Sequence, residues 1–183
     1  MLQNDPELFE LSMSEKTQPL MDLVKKHCEE NIKPIQQEYS ALQNEKEDRW
    51  SWHPRQIELM EGAKEKAREL GLWNFFLPDP DGNIGDGLTN LDYTYVASEI
   101  GKYPLASESM NCSAPDTGNM EVLERVGTEE QKKQWLETLL NGEIRSAYAM
   151  TEPNLASSDA KNISTSAVLD GDEWVINGEK FYI

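Results

Sequence analysis

Residues 128–150 read TEEQKKQWLETLLNGEIRSAYAM, and the periodicity of the apolar residues changes within this stretch. Thr128 to Gln131 has the form of a capping box, in which two side chains satisfy free backbone donors at a helix start. Apolar residues then follow at helical spacing up to Gly142. After Gly142 that spacing stops, and we predict a strand over Arg145–Met150. The change of period predicts a helical block followed by a sheet.

Between Thr17 and residue 128 most of the chain outside one loop has the helical period, with charged residues between the apolar positions. Pro34 should kink or end the first helix, because proline lacks an amide hydrogen and clashes with the preceding turn. We predict one helix from Thr17, with a polar continuation over 36–47, and a second from Pro54, with Gly71 as its C-terminal cap. A third helix is predicted with Thr89 or Asn90 as its N-cap, and a fourth with Asp116 or Thr117 as its N-cap. Residues 77–87, rich in Gly and Pro, are predicted to form a loop.

The C-terminal part of the chain, from residue 164, is predicted to form short strands. We predict strands over 164–169, 174–176 and 180–183, with a turn at 170–172 and a type I′ hairpin at Asn177–Gly178. The fold class is therefore α+β: an all-helical domain over residues 1–143, then the beginning of an antiparallel β-domain over residues 144–183. Because this sheet begins without a closing element, we expect the chain to be truncated from a longer protein.

Composition excludes several classes of function. The chain has 34 acidic and 17 basic residues and a net charge of −17, which disfavours nucleic-acid binding. No apolar stretch approaches the ~18 residues of a membrane span. The two cysteines and two histidines lack metal-ligand spacing, so no metal is expected. His27 is predicted to be a half-buried packing residue.

The segment richest in chemistry runs from Tyr148 to Asp159. Hydroxyls and backbone amides at a strand exit can hold a phosphate or a heteroaromatic ring. On composition alone, a Ser-rich surface loop is the simpler interpretation. Glu152 precedes a proline in a tight turn, so we expect it to make local hydrogen bonds rather than act as a base.

This segment resembles the flavin-binding signature of the acyl-CoA dehydrogenases, a Thr-Glu-Pro followed by a small-residue turn and Ser-Asp. Three further stretches, 111–123, 127–142 and 174–183, resemble that family's acyl-pocket helix, the helix before its sheet, and its hairpin with the flavin-edge strand. The resemblance runs from about residue 14 to the end. It is greatest for the branch that contains the tenth and eleventh human family members and bacterial relatives.

The resemblance implies FAD as cofactor and assigns roles to six residues. Tyr148, Met150 and Thr151 would lie along the isoalloxazine ring. Ser157 and Ser158 would face the pyrophosphate, and Ser158 would also touch the substrate thioester. Tyr182 would stack by the ring, where most relatives carry Trp. The loop is one residue longer than the family's common form, which affects the alignment of Ser157. No catalytic residue is expected in this chain, because the family's catalytic Glu lies in a later domain.

The family's reaction is α,β-dehydrogenation of a fatty acyl-CoA thioester, a step of fatty acid β-oxidation and lipid metabolism. The resemblance implies electron-transfer flavoprotein as electron acceptor and a homodimer or homotetramer. It implies a cytoplasmic location in a bacterium, and a mitochondrial or peroxisomal one in a eukaryote. This chain alone is expected to be inactive. An acyl-CoA oxidase and a non-catalytic flavin- or partner-binding fragment stay open as alternatives.

Overall fold

The computed structural model describes residues 11–45, 48, 50–77 and 87–183. Its α-helices are α1 (Gln18–His27), α2 (Lys33–Ala41), α3 (Pro54–Glu69), α4 (Asn90–Ile100), α5 (Ala106–Ser109), α6 (Asp116–Val126), α7 (Glu129–Gln131) and α8 (Glu137–Leu140). Two antiparallel strands follow, β1 (Ser166–Asp170) and β2 (Glu173–Asn177), with Ser166 opposite Asn177. The predicted class, helices and then an antiparallel sheet, is confirmed. Most of the predicted loop over 77–87 lies outside the described residues.

Two helices continue through a π turn, in which a backbone amide bonds to the carbonyl five residues earlier. The turn Cys28–Ile32 joins α1 to α2, and Lys33 N donates to Cys28 O. Pro34 stands in the first turn of α2, where its missing amide hydrogen is tolerated. The helix therefore does not end at Pro34. Helix α2 ends at Ala41, a 3₁₀ turn follows over Leu42–Glu45, and the last two residues of the predicted continuation over 36–47 lie outside the described residues. A second π turn, Lys132–Leu136, joins α7 to α8.

Several helix ends follow their sequence signals. Thr128 and Gln131 form the predicted capping box, and the Thr89 hydroxyl accepts from Asp92 N at the start of α4. Gly142 has a φ of +72°, and a Cβ added there would lie 2.9 Å from the Trp73 ring. The predicted N-cap of α6, Asp116 or Thr117, is wrong, because Pro115 occupies that position. Asp116 lies inside the first turn of α6, and its carboxylate binds the chain after α8 instead.

The hydrophobic core is formed by helices α1, α3, α4 and α8 and by the segment that follows α3. Its most fully buried apolar side chains are Val24, Ile32, Ala67, Leu72, Phe75, Val96, Ala106, Met110 and Met120. Burial of these apolar side chains drives the helices together. His27 is fully buried within the same layer, so the prediction of half burial is wrong in degree.

The segments on either side of the hairpin differ from the sequence prediction. The turn predicted at 170–172 is confirmed, because β1 and β2 are joined there. Arg145–Met150 and residues 180–183 are not strands, so the hairpin predicted at Asn177–Gly178 does not form. The physical reason is that Arg145–Met150 is held by side chains of other segments, described below. Gly178 meets Thr165 closely: an added Cβ would lie 2.2 Å from its Oγ1. Glycine is needed there for space, not for a hairpin turn.

Across the described ranges, each helix is too short or too polar to cross a lipid bilayer.

Candidate functional site

Three chain segments meet at the loop that carries the signature. Phe181 N donates to Thr151 O at 3.0 Å, and Lys180 Nζ donates to Met150 O at 3.0 Å. These bonds bring the end of the chain against the segment that leads into the loop. Met150 and Thr151, two of the predicted flavin contacts, thus lie beside the residues that precede Tyr182.

Glu152 is the anchor of this arrangement. Its side chain is buried, and its Oε2 accepts from Ser164 N at 2.8 Å and from Ser164 Oγ at 2.7 Å. Its Oε1 accepts from Thr165 N at 2.9 Å, from Thr165 Oγ1 at 2.5 Å and from Lys180 Nζ at 2.9 Å. The carboxylate therefore ties the loop to the start of β1 and to the end of the chain.

The same donors hold the pKa of Glu152 well below its usual range. The Thr165 hydroxyl contributes most, followed by Lys180 and the Ser164 amide, because each of them stabilises the charged form. An ionised carboxylate with filled acceptor positions is a poor proton acceptor. The predicted hydrogen-bonding role of Glu152 is confirmed, but its partners lie 12, 13 and 28 residues further along the chain rather than in its own turn.

The side chain of Ser157 makes hydrogen bonds across the loop to the backbone of Glu152. It is buried, its Oγ accepts from Glu152 N at 2.8 Å, and the hydroxyl lies 3.3 Å from Glu152 O. Asn154, in the same turn, has a φ of +66°, a conformation that asparagine tolerates better than most residues. The hydroxyl of Ser157 is thus directed into the loop, and its contact with a pyrophosphate stays a prediction.

The other predicted contacts are more accessible. Ser158, Tyr148 and Tyr182 are exposed, and Met150 and Thr151 are half-buried. The hydroxyls of Ser158 and Thr151 make no hydrogen bond to any residue that the structure describes. The Tyr182 side chain is 88% exposed, with its ring centroid 4.5 Å from that of Phe181. These hydroxyls and rings are available to a ligand, as a flavin site requires. No hydrogen bond or ring contact among the described residues joins Tyr148 to the other five.

A second anchor lies at the beginning of the same segment. The buried carboxylate of Asp116 accepts from Arg145 Nε at 2.5 Å through Oδ2. Its Oδ1 accepts from Ser146 N at 2.7 Å and from Ser146 Oγ at 2.6 Å. Asn119 Nδ2 donates to Ser146 Oγ at 2.8 Å. The chain leaving α8 is thereby fixed to the first turns of α6.

Metal-binding side chains are scattered: within the described parts of the chain, no three His, Cys, Asp or Glu residues are grouped so as to hold an ion.

Comparison with known proteins assigns the chain to a family. Residues 14–143 match the model of the acyl-CoA dehydrogenase N-terminal domain. The chain belongs to the acyl-CoA dehydrogenase family. It is similar to acyl-CoA dehydrogenase family member 10 of Mus musculus, at 47% identity over 173 residues, and to family member 11 of Gallus gallus, at 46% over 172 residues. The predicted branch of the family is thus confirmed.

Solved structures of similar proteins support the same family. A Mycobacterium abscessus protein assigned as an acyl-CoA dehydrogenase superposes with a TM-score of 0.82 at 42% identity, over 92% of this chain and 42% of that one. An acyl-CoA dehydrogenase from Geobacillus kaustophilus gives 0.58 at 26% identity, over 92% and 39% of the two chains. The match covers 93% of this chain and 16% of the mouse protein, and 92% of this chain and 21% of the chicken protein. The chain therefore spans about a fifth of the length of these relatives.

Sequence reasoning missed the residues that hold this acyl-CoA dehydrogenase loop in place. For Lys180, Ser164 and Thr165 the sequence predicts only strand positions, and for Asp116 it predicts only a helix cap within the stretch that resembles the acyl-pocket helix. One signal was available for Lys180: an acidic residue in a loop of small and hydroxyl side chains needs a basic partner if it is buried. Nothing in the local sequence links Asp116 to Arg145.

Proposed function

We propose that this chain is the N-terminal part of an FAD-dependent acyl-CoA dehydrogenase, which oxidises the α,β bond of a fatty acyl-CoA thioester. The observation that carries the proposal is the loop of residues 151–159. It is closed on the buried Glu152 and leaves the hydroxyls of Thr151 and Ser158 without a hydrogen-bond partner among the described residues. A loop fixed from within and open at its hydroxyls is preorganised for a ligand.

The residues present fit the polar and aromatic parts of FAD. The Thr151 hydroxyl would meet the polar edge of the ring system, and Met150 and Tyr148 would lie along its face. Tyr182 would stack beside the ring through its exposed aromatic face. Ser158 would donate to the pyrophosphate and touch the thioester, with Ser157 beneath it.

When bound, the flavin supplies the electron sink for the β-hydride. This chain's own residues bind and orient it. The base that removes the α-proton would come from the later domain that the family carries.

The wider assignments belong to the same proposal. The helical domain would cover residues 1–143, and the β-domain would begin at residue 144. Electron-transfer flavoprotein would accept the electrons in fatty acid β-oxidation, and the full-length protein would be a homodimer or homotetramer. It would work in the cytoplasm of a bacterium, or in a mitochondrion or peroxisome of a eukaryote.

The test is Ser158→Ala in the full-length protein. Loss of a hydrogen bond to the charged pyrophosphate should weaken FAD binding roughly ten- to hundredfold. Titration of the apoprotein with FAD, followed by flavin fluorescence, measures the dissociation constant. Ser107→Ala, in the short helix α5, is the matched control and should leave it unchanged. Equal dissociation constants for wild type and Ser158→Ala would show that Ser158 is a surface residue and that its site assignment is wrong.

A further inference from the structure

A chain of ion pairs runs from the helical block to the segment that leads into the signature loop. Lys64 Nζ lies 3.0 Å from Glu61 Oε1 and 3.2 Å from Glu108 Oε1. Arg145 Nη1 lies 2.6 Å from the same oxygen of Glu108, and its Nε binds Asp116. The chain of charges thus connects α3, α5 and α6 to Arg145.

Asp116 is the member of this chain that water reaches least. Its side chain is 3% exposed, whereas that of Arg145 is 52% exposed. Each oxygen of Asp116 accepts from the segment that follows α8: Oδ2 from Arg145, and Oδ1 from the amide and hydroxyl of Ser146. A buried carboxylate with these donors fixes the backbone at Ser146 as well as the side chain of Arg145.

The position of Ser146 matters because the predicted flavin contacts begin two residues later, at Tyr148. Residues 145–150 belong to no sheet, so no strand pairing holds them. Their described tethers are the carboxylates of Asp116 and Glu108 and the Asn119 amide at one end, and Lys180 and the Glu152 loop at the other. Without Asp116 the Arg145 side chain would keep its ion pair with Glu108, but the backbone amide of Ser146 would lose its described acceptor.

We propose that Asp116 is a positioning residue for the cofactor site: through Arg145 and Ser146 it sets where Tyr148, Met150 and Thr151 lie relative to the helical block. This proposal rests on the proposed function, because it assumes that these residues meet the flavin. It gives the Ala-Pro-Asp-Thr stretch a role that differs from a wall of the acyl pocket. Asp116 touches neither substrate nor cofactor in this role.

The test uses Asp116→Asn in the full-length protein. Asparagine keeps the size of the side chain, but its amide nitrogen would face a donor, either Arg145 Nε or the Ser146 amide. The dissociation constant for FAD, from flavin fluorescence, should rise roughly ten- to hundredfold, as for a lost hydrogen bond to a charged group.

Asp92→Asn is the matched control. Asp92 is as buried as Asp116 and accepts from Ser14 N and the Thr89 hydroxyl, in a part of the fold that does not contact the segment. Its substitution should lower the midpoint of urea unfolding and leave FAD affinity within about twofold of wild type. Equal weakening by both variants would mean that only overall stability matters and would overturn the proposal.

A second measurement separates this proposal from the proposed function. Amide hydrogen exchange over residues 147–151, measured without flavin, should be about tenfold faster in Asp116→Asn and unchanged in Asp92→Asn. If the wild type does not bind FAD but this difference is seen, the proposed function fails and the positioning role stands. If the wild type binds FAD and neither affinity nor exchange changes in Asp116→Asn, the positioning role is refuted.

A milder variant covers the case in which Asp116→Asn does not fold. Ser146→Ala removes only the hydroxyl that donates to Asp116 Oδ1. It should weaken FAD binding and speed exchange over residues 147–151 by about two- to tenfold, the range for one neutral donor. No change in either quantity would contradict the proposal.

Discussion

Glu152 is a negative charge enclosed by five donors from three residues. Its low pKa means that the loop is closed by an ionised carboxylate across the neutral pH range. A Gln at this position keeps one acceptor oxygen but turns an amide nitrogen toward either the Ser164 or the Thr165 and Lys180 donors. The loop depends on charge as well as on shape.

Glu152→Gln should therefore loosen the loop without unfolding the helices. We expect the amides of Ser164 and Thr165 to exchange roughly ten- to hundredfold faster, the ratio for one lost hydrogen bond to a charged group. Hydrogen exchange read by NMR or mass spectrometry measures this rate. Glu179→Gln removes an exposed acid next to Lys180 and should change nothing. Unchanged exchange in Glu152→Gln would show that the charge is not required.

Gly178 shows where local sequence signals mislead. Asn-Gly is a strong signal for a two-residue hairpin turn, yet no hairpin forms at Asn177–Gly178, whereas the turn predicted at 170–172 does form. Gly178 is instead the position at which the chain passes Thr165 too closely for a side chain. A turn signal lies in adjacent residues, so a turn can be predicted from the sequence. A close approach between two segments that are distant in the sequence has no such local signal and could not be predicted.

At the scale of elements, helix α1 is joined to α5 by a buried histidine. His27 Nε2 lies 3.0 Å from Ser109 Oγ, which donates to Ala106 O at 2.8 Å, so the ring nitrogen is the donor. His27 Nδ1 accepts from Asn31 at 3.3 Å. Both ring nitrogens of a neutral imidazole are thus satisfied. Burial lowers the pKa of His27 below its usual 6.5, because the interior disfavours the charged form.

This arrangement predicts a pH dependence of stability. The unfolded chain protonates His27 below about pH 6.5, whereas the folded chain does so only at lower pH. The contribution is therefore present above pH 6.5 and is lost as the pH falls, by at most about 1.4 kcal/mol per pH unit. Urea unfolding between pH 7.5 and 5.5 measures it.

Two variants distinguish the contribution of His27 to the pH dependence of stability from that of acidic groups that titrate in a similar pH range. His27→Gln should show a shallower dependence than wild type over that range. Ser158→Ala, which removes an exposed side chain that does not titrate, should keep the wild-type dependence. Identical slopes for wild type and His27→Gln would refute the prediction.

The helical elements were largely predictable and the irregular ones were not. Periodicity and caps predicted the starts of α3, α4 and the helix at Thr128, because these signals act within one turn. The π turns that carry α1 into α2 and α7 into α8 leave no such pattern. Arg145–Met150 was predicted as a strand from its residue types, but its partners are side chains far away in the sequence.

For the site, the predictable part was the loop with its hydroxyl residues and the hydrogen-bonding role of Glu152. The inward direction of Ser157 depends on how the turn closes, which the sequence does not encode locally. The roles of Tyr148, Met150, Thr151, Ser157, Ser158 and Tyr182 toward FAD came from the resemblance and remain predictions.

At the scale of the whole molecule, the two parts of the chain differ in packing. The helices share one core, whereas every residue of β1 and β2 is exposed. Large apolar side chains such as Trp174 and Ile176 are 64% and 70% exposed. A two-stranded hairpin without a covering layer is marginally stable in water.

We therefore expect unequal protection in the 183-residue chain. Amides of β1 and β2 should exchange at least about tenfold faster than those in the middle of α3 and α6, because little buried apolar surface opposes their opening. Hydrogen exchange measured by mass spectrometry compares peptides from the strands with peptides from the helices within one sample. Equal or slower exchange in the strands would mean that another chain, such as a second copy, covers them.

The bond between Glu152 and Lys180 also orders events during synthesis. A ribosome adds Glu152 before Ser164, Thr165 and Lys180, and domains assemble as their segments emerge. Until Lys180 has left the exit tunnel, the nascent loop carries a carboxylate without its cation. The helical block, whose contacts all come earlier in the chain, can pack by then. The loop of residues 151–159 thus acquires its final contacts after the helical scaffold that supports it has been synthesised.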